Sequence, residues 1–567
     1  MKEDQKNFLI FAVIAAIILF AWEPIASRFF PTPPPPVTIE GGKKTAQPDP
    51  RAVTTPETPA TMRDRAMVLA ESPRIAIETP RVRGSLNLRG ARIDDLVLLR
   101  YDETIAEGSE PIRLLSPSGA DHAYFASFGW SGDGLNAPGP DSVWTASGDR
   151  LTPETPVTLT TTSGGRTFQL QISVDQGYMF TVRQVAANTG AQAVSAAPFA
   201  YLNRHHDSAD KDTWTIHAGP IVSHGGRVDY TNDYDDLDAS PLGFTSRGGW
   251  VGFTDIYWLA ALVPDQGSTV DLRFRPTGNG NYQAYYQSDS PRVLQPGQAL
   301  VSTSRFFAGA KEVDLLDRYE AEGIPLFGKS IDWGWFEIVE KPIFHYLDWL
   351  FRLVGNFGLA IILLTFTIRL LMFPIAQKQF ASFASMRALQ PKMKALQERH
   401  KEDKPRLQQE MMKLYKDEKV NPLAGCLPTL LQIPIFYALY KVLMLTIEMR
   451  HQPFVLWIQD LSAPDPLTPL NLFGLLAFTP PSFLHIGIFP ILLGISMWAQ
   501  FKLNPAPMDD IQKQVFALMP WVLMFVMAPF AVGLQVYWIT SNLLTIAQQK
   551  WLYSRHPALK AAEAKTK

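Results

Sequence analysis

The chain has very little cysteine and little charge. One of its 567 residues is a cysteine, Cys426, so no intramolecular disulfide can form and cysteine usage indicates no redox compartment. Charged residues make up 19%, below the roughly 25% usual for soluble proteins. The 52 basic and 54 acidic side chains nearly cancel, so no global positive field points to nucleic acid. A chain of this length is too long to fold around a single hydrophobic core, so we expect two or more domains.

The sequence also lacks the common signatures of covalent catalysis. It contains no glycine-rich phosphate loop, no nucleophile elbow and no paired-carboxylate motif. The segment Asn203–Asp207, with Asp210 and Asp212, contains His205 and His206, but its spacing matches no closed zinc pattern. We interpret it as a polar loop and expect no metal, no cofactor and no enzymatic activity.

Long apolar runs, in contrast, are present. Residues 8–22 are all apolar and follow two lysines, which fits either a secretory signal or a membrane anchor. The run ends in Phe20–Pro24, a poor cleavage site, so we favour an uncleaved anchor over residues 1–26. Residues 27–61 are rich in proline and cannot bury a core, so we interpret them as an extended linker.

The region from 62 to 320 shows alternating apolar and polar residues. Short runs of this kind begin at Val157 and Phe168, and turn signals such as Ser163–Gly165 and Gly278–Asn281 separate them. This pattern predicts an all-β sandwich of many strands. The following segment, 321–350, is amphipathic and rich in tryptophan, which is typical of a helix at the bilayer interface. A helix packed on the β domain is the alternative.

Residues 351–553 contain five further apolar segments. Several are shorter than the roughly 20 residues that a membrane span needs, and proline or polar side chains interrupt each one, so we expect these helices to face one another or water. The segments are Leu353–Ile375, Leu423–Ile447, Leu484–Phe501, Val515–Ala528 and Leu534–Ile546.

The distribution of basic residues predicts the topology. The segment 376–421 contains 11 lysines and arginines against 6 acidic residues, and the tail 554–567 is basic as well. Basic loops are retained in the cytoplasm. We therefore expect both termini in the cytoplasm and the β domain outside.

Arg369 is the most informative single residue. It is the only charged residue between Leu353 and Ile375, and Thr365 lies one turn away on the same helix face. One interpretation is an arginine that reaches to the cytoplasmic interface. The other is a permanent positive charge in a wet intramembrane groove, where it attracts polar or acidic flanks of a substrate. None of the five segments contains a carboxylate, which argues against a proton- or sodium-coupled transporter.

Between residue 332 and about 553 the chain contains six long, ordered motifs. They are Gly358–Arg369 (GLAIILLTFTIR), Met386–Lys392 (MRALQPK), Gln409–Lys416 (QEMMKLYK), Lys419–Pro428 (KVNPLAGCLP), Leu431–Tyr440 (LQIPIFYALY) and Gly533–Asn542 (GLQVYWITSN). In these motifs the chain resembles the YidC/Oxa/Alb family of membrane insertases. The large β domain after a first anchor is similar to the Gram-negative branch, and Trp538 stands where those members often have a second tyrosine.

The resemblance implies a polytopic helical membrane protein of six spans. Its five core helices would surround a hydrophilic groove that is open to the cytoplasm and to lipid. The implied activity is insertion and folding of nascent membrane proteins in the bacterial inner membrane, alone or beside the Sec translocon. The expected groove residues are Arg369, Thr365, Gln432, Gln535, Tyr537, Trp538 and Asn542, and the expected substrate-contacting aromatics are Phe436 and Tyr437. Hydrogen bonds and aromatic packing between spans are the alternative for each of these polar and aromatic side chains.

The basic segment 376–421 has apolar residues at heptad-like spacing, and Asp403 with Pro405 marks a helix start. We expect a cytoplasmic helical hairpin that docks to the ribosome, to targeting machinery or to anionic lipid, with a merely solvated charged face as the alternative. Its candidate docking residues are Arg387, Lys392, Lys394, Arg399, Lys413 and Lys416.

A competing hypothesis is a membrane-bound enzyme or transporter with a sugar- or lipid-binding β domain. Carboxylates in the middle of the spans, or clustered His, Asp and Glu residues facing outward, would favour it. The sequence shows neither pattern.

Overall fold

The computed structural model describes most of the chain from residue 63 onward. The described ranges are 63–205, 216–377, 389, 392–393, 395–396, 398–400, 403–418, 427–473, 475–476, 486–503 and 510–555. The predicted anchor and linker, the acidic residues 207, 210 and 212, Cys426 and nearly all of the basic tail lie outside the described residues.

Twenty strands form two antiparallel-dominated sheets. The first sheet has eleven strands, in the order β14-β17-β18-β11-β5-β3-β2-β1-β7 with β19 and β4 at its side; the second has nine, in the order β13-β12-β15-β16-β20-β10-β9-β8-β6. The strands are β1 Arg74–Glu78, β2 Val82–Asn87, β3 Arg92–Asp102, β4 Pro111–Leu115, β5 Tyr124–Ser131, β6 Thr145–Ala146, β7 Arg150–Leu151, β8 Val157–Ser163, β9 Arg166–Val174, β10 Met179–Ala187, β11 Val194–His205, β12 Gly219–His224, β13 Arg227–Asp229, β14 Leu242–Arg247, β15 Trp250–Thr254, β16 Trp258–Val263, β17 Thr269–Gly278, β18 Asn281–Ser288, β19 Arg292–Leu294 and β20 Ala299–Ala310.

The alternating sequence pattern determines which side chains enter the core of the sandwich. In β9, Phe168, Leu170, Ile172 and Val174 are buried while the intervening residues are partly exposed. The predicted turn between β8 and β9 is confirmed, because Gly164 and Gly165 have φ values of 56° and 73°, which glycine adopts without steric cost.

The polar-loop interpretation of Asn203–His205 is wrong. These three residues end β11, and the buried guanidinium of Arg204 lies 2.8 Å from the Asp255 carboxylate. Sequence reasoning missed this pair because Asp255 is distant in sequence. Within the described parts of the chain, no group of three or more His, Cys, Asp or Glu side chains could bind a metal ion.

Ten α-helices are defined in the described residues. They are α1 Arg65–Ala70, α2 Tyr234–Ala239, α3 Val313–Ala321, α4 Glu337–Val354, α5 Phe357–Leu371, α6 Lys404–Asp417, α7 Leu427–Leu445, α8 Ile488–Leu503, α9 Asp510–Met527 and α10 Val532–Arg555. In the described residues, no helix is both long enough and apolar enough to qualify as a membrane span.

The amphipathic segment 321–350 is not one helix. Two short 3₁₀ turns, Phe327–Ser330 and Gly334–Phe336, precede α4, and Gly334 has a φ of 66° that breaks a regular helix. The side chains of Trp335 and Ile338 are 80% and 83% exposed, so this part of the segment presents an apolar surface.

The boundary between α4 and α5 differs from the predicted span Leu353–Ile375. Gly355 ends α4 in the left-handed region, and the Asn356 side chain accepts a hydrogen bond from the Leu359 amide at 3.0 Å. Asn356 is therefore an N-cap and not a polar residue inside a span. The predicted span begins inside α4 and combines parts of two helices.

The short loop after α7 makes hydrogen bonds to the β domain and to α3. Glu448, just after α7, accepts the Val313 amide at 2.9 Å and so caps the N-terminus of α3. Arg450 donates to the carbonyls of Asp102 and Glu103 at 2.8 and 3.1 Å. Its guanidinium also lies 5.5 Å from the ring centre of Trp258.

Candidate functional site

Arg369 lies in the last turn of α5 and faces α10. Its Nε donates to the Ser541 hydroxyl at 3.1 Å, and its Nη2 donates to the same oxygen. Among the residues that the structure describes, Arg369 makes no ion pair with a carboxylate within 4 Å. Since a guanidinium stays protonated even when it is enclosed, Arg369 has a full positive charge beside a neutral hydroxyl.

A second hydrogen bond extends this polar contact to α7. The Gln432 side-chain amide donates to the Tyr537 hydroxyl, which belongs to the same helix as Ser541. The Tyr537 ring is buried and is an electrostatic neighbour of Arg369. Gln432, Tyr537, Ser541 and Arg369 thus form a polar seam across α5, α7 and α10.

Thr365 does not contribute its hydroxyl to the polar seam. The side chain is 1% exposed, and its Oγ1 donates to the Ile361 carbonyl of its own helix at 2.6 Å. Threonine often satisfies its hydroxyl in this way inside apolar helices. The sequence spacing correctly places it near Arg369 along α5, but the hydroxyl is engaged by the backbone.

Gln535 and Asn542 make structural contacts elsewhere. Gln535 is fully buried and donates to the carbonyls of Met527, the last residue of α9, and of Phe530 in the following turn, at 2.9 and 3.0 Å. Asn542 donates to Ser496 at 2.9 Å and links α10 to α8. Ser496 was not among the expected residues, since no motif distinguishes a serine that pairs across helices.

The expected aromatic residues separate into two groups. Phe436 and Trp538 meet edge to face with ring centres 4.9 Å apart, next to the polar seam. Tyr437, one residue further along α7, stacks instead on Trp335 at 6.4 Å. Consecutive residues of a helix point about 100° apart, so these neighbouring aromatic side chains have different surroundings.

Lys441 provides a contrast with Arg369. Lys441 is on α7, like Gln432. Its Nζ donates to the Asp332 carbonyl at 2.6 Å and lies 3.9 Å from the Asp332 carboxylate. The carboxylate of Glu340, on α4, is a further electrostatic neighbour. Lys441 is thus a buried cation with acidic neighbours, whereas Arg369 has a neutral hydroxyl as its hydrogen-bond partner.

The structure describes part of the predicted hairpin. The Asp403 side chain accepts from the Arg406 amide at 3.1 Å, which confirms the predicted start of α6. Lys392 lies 2.6 Å from Glu418 across the two arms, and Met393 is buried with its sulfur 3.9 Å from the Tyr415 hydroxyl. Arg399, Lys413 and Lys416 are exposed, while Arg387 and Lys394 lie outside the described residues.

Comparisons with known proteins cover the two parts of the chain separately. Residues 349–560 match the family described as "60Kd inner membrane protein". Residues 74–346 match the family described as "YidC periplasmic domain". Together these matches span most of the chain.

Full-length relatives are similar as well. The "Membrane protein insertase YidC" of Zymomonas mobilis is 48% identical over 561 residues, with 98% of this chain and 96% of that protein covered. The protein of the same name from Rhizobium meliloti is 43% identical over the same shares of both chains. A crystal structure described as an active YidC insertase covers 84% of this chain and 92% of its own, at 17% identity and a TM-score of 0.36.

The matches confirm the predicted fold class, a polytopic helical membrane protein with a large β-sandwich domain. They also confirm the resemblance that the motifs carried. The chain belongs to the YidC family of membrane protein insertases.

Proposed function

We propose that this inner-membrane insertase receives the polar flank of a nascent membrane segment at the polar seam. The observation that carries the proposal is the state of Arg369. It is charged, largely enclosed by α5 and α10, and bonded only to a neutral hydroxyl among the described residues. An incoming carboxylate would find a guanidinium that has no acidic partner to displace.

The driving force would be the burial of substrate apolar surface in lipid, and no covalent step is needed. The barrier lies in moving the polar flank through the bilayer. Side chains of the polar seam lower this barrier, because they offer hydrogen bonds where hydrocarbon offers none. Phe436 and Trp538 lie beside the polar seam, and their ring faces are suited to contact with the apolar part of the substrate.

We further propose that the cytoplasmic hairpin recruits partners. The exposed Arg399, Lys413 and Lys416 offer a basic surface, whereas Lys392 already pairs with Glu418. Such a surface fits the ribosome, targeting machinery or anionic lipid. The protein would cooperate with the Sec translocon, and its N- and C-termini would lie in the cytoplasm. It would not bind nucleic acid in a sequence-specific way.

Insertion assays with Arg369 variants test the proposal. Arg369→Lys should retain much of the activity, while Arg369→Ala and Arg369→Glu should impair insertion of substrates with acidic flanks. The effect is modest, since screening limits a single ion pair to the order of 1 kcal/mol. Substrates with neutral flanks are the matched comparison within each variant.

Lys441→Ala is the control variant, because Lys441 already has acidic neighbours in the fold. It should lower the amount of folded protein without any dependence on the substrate flank. Equal effects of Arg369→Ala on acidic and neutral flanks, together with lower abundance, would support the interpretation that Arg369 only reaches the interface.

A further inference from the structure

A small cavity in the β domain is lined by three arginines and by no carboxylate. Its volume is about 150 Å³, well above the roughly 10–15 Å³ that one water molecule needs. We call it the arginine pocket; its lining residues are Pro80, Arg81, Arg100, Gln176, Gly177 and Arg318.

Four separate chain segments build the arginine pocket. Arg81 comes from the connection between β1 and β2, Arg100 from β3, and Arg318 from α3, while Gln176 and Gly177 form the turn between β9 and β10. The turn packs directly on α3, because a Cβ at Gly177 would lie 2.3 Å from the Tyr319 hydroxyl. The arginines are therefore brought together by the fold and not by sequence proximity.

The lining of the arginine pocket contains three guanidinium groups and no carboxylate, although two of the three have a carboxylate nearby. Arg81 pairs with Glu312 and lies 5.3 Å from the ring centre of Tyr178. Arg318 lies 3.9 Å from Glu322, with both side chains more than half exposed, so that pair is weak. Arg100 is exposed and has no ion pair in the described part of the chain.

The carboxylate of Asp175, in the β9–β10 turn, makes its hydrogen bonds to groups other than the pocket arginines. Asp175 accepts the amides of Gly177 and Met179 at 2.8 and 3.0 Å and the Tyr319 hydroxyl at 2.5 Å. These three bonds engage it in the β9–β10 turn. The described residues therefore leave Arg100 without an ion pair and give Arg318 only the exposed Glu322 carboxylate.

The arginine pocket also lies next to the helical core. Arg318 is on α3, whose first amide is bonded to Glu448 from the loop after α7. Asp314, on the same helix, lies 2.8 Å from Arg352 of α4. A ligand in the pocket is thus one short helix away from α4 and from the loop after α7.

We propose that the arginine pocket binds a phosphate-type oxyanion, either the headgroup phosphate of an anionic lipid or free phosphate. Guanidinium groups match such oxyanions in geometry and donate two parallel hydrogen bonds to them. Three of them around a small cavity suit a compact oxyanion better than an apolar ligand. With a lipid headgroup bound, the β domain would be anchored to the membrane surface beside the core.

Titration of the full-length protein in neutral detergent tests the proposal. The probes are inorganic phosphate, short-chain phosphatidylglycerol and short-chain phosphatidylcholine, with binding followed by calorimetry. Arg100→Gln and Arg318→Gln should each weaken binding of the favoured probe about tenfold, equivalent to about 1.4 kcal/mol. Arg100→Lys should lose less, because it keeps the charge but not the paired donors.

Two further variants serve as controls, one outside the pocket and one beside it. Arg81 is left unchanged, because its loss would also free Glu312. Arg247→Gln changes an exposed arginine on β14 that does not line the pocket, and it should leave binding unaltered. Glu322→Gln removes the competing carboxylate beside Arg318 and should tighten binding.

The probes separate the two sources of the anion. Stronger binding of phosphatidylglycerol than of phosphate identifies a lipid headgroup, and the reverse identifies free phosphate. The proposal is overturned if no probe binds, or if Arg100→Gln and Arg318→Gln bind every probe as the unchanged protein does.

Discussion

At the scale of single residues, the environment of Arg369 follows from elementary electrostatics. An arginine remains charged when enclosed, so it requires hydrogen-bond acceptors around it. Ser541 supplies a neutral acceptor, and no carboxylate of the described residues competes for the guanidinium. The same arrangement with an aspartate would form a closed ion pair and would leave no attraction for a substrate.

The sequence pointed to Arg369 as an unusual charge in an apolar helix. It did not show which polar side chains of the other helices lie near it. Gln432, Gln535 and Asn542 are all polar residues in apolar helices, and nothing in the sequence distinguishes them. Their bonding partners lie on other helices, and the Arg369–Ser541 contact joins residues 172 positions apart. Helix rotation decides which amide enters the polar seam and which one satisfies a helix end.

Glu448 is a residue that the sequence did not mark as functional, and it gives a pH prediction. Its carboxyl is buried, and burial raises its pKa to about 8, with Glu312 and Asp348 adding repulsion. The folded protein then binds a proton that the unfolded chain has released above about pH 4.5. Stability should therefore decrease as the pH rises toward 8, by at most about 1.4 kcal/mol per pH unit.

Glu448→Gln should remove this dependence, because the amide oxygen can still accept from Val313 and no charge forms. The melting temperature of the full-length protein between pH 5 and pH 8 measures the effect. Asp141→Asn, at a side chain that is 79% exposed, is the control and should leave the slope unchanged. An identical slope in Glu448→Gln and the parent would contradict the burial argument.

At the scale of elements, local signals predicted ends and turns well. Asp403 caps α6 as expected, and the paired glycines after Ser163 form the expected turn. Local signals failed where a glycine and a cap divide an apolar run, as at Gly355 and Asn356. Apolar composition continues through that boundary, so hydropathy alone joins two helices into one.

The hairpin yields a prediction on accessibility. Lys413 and Lys416 on α6 are exposed, and in the described part of the hairpin Met393 is buried next to Tyr415 of α6. Trypsin added to inside-out vesicles should cut within 404–417, because the proposed topology puts this segment on the cytoplasmic side and its lysines are exposed. Cleavage there in right-side-out spheroplasts, with protection in inside-out vesicles, would contradict the proposed topology.

At the scale of the whole molecule, hydrogen bonds as well as the polypeptide chain connect the β domain to the helical core. Arg450 bonds to residues 348 and 347 positions earlier, and Glu448 caps α3. No periodicity or motif encodes such contacts, so the sequence predicted two separate parts without their junction. The two parts themselves were predictable, because each has its own apolar pattern.

The β domain should fold alone, with a measurable loss from the missing junction. A fragment of residues 63–330 should give a β-type circular dichroism spectrum and a cooperative melt. It lacks the Glu448 cap, and loss of a cap costs about 0.5–2 kcal/mol. Its melting temperature should be a few degrees below that of the domain in the full chain, at about 2–4 °C per kcal/mol.

Deleting the β domain should be tolerated better than changes in the core, since the polar seam lies entirely after residue 350. Loss of insertion in a stably expressed deletion variant would show that the junction has a direct part in the reaction. A helical or unfolded spectrum of the isolated fragment would refute independent folding.

The central claim is that Arg369 lies in a hydrated site that substrates enter. Single cysteines introduced as Arg369→Cys, Gln432→Cys and Thr365→Cys, with Cys426 replaced, test it by labelling and by crosslinking to a stalled nascent chain. Positions 369 and 432 should react with a water-soluble thiol reagent and crosslink, whereas position 365 should be protected, because the Thr365 side chain is 1% exposed. If 369 and 432 are inert and never crosslink, while Arg369→Ala inserts acidic-flanked substrates normally, the claim is wrong.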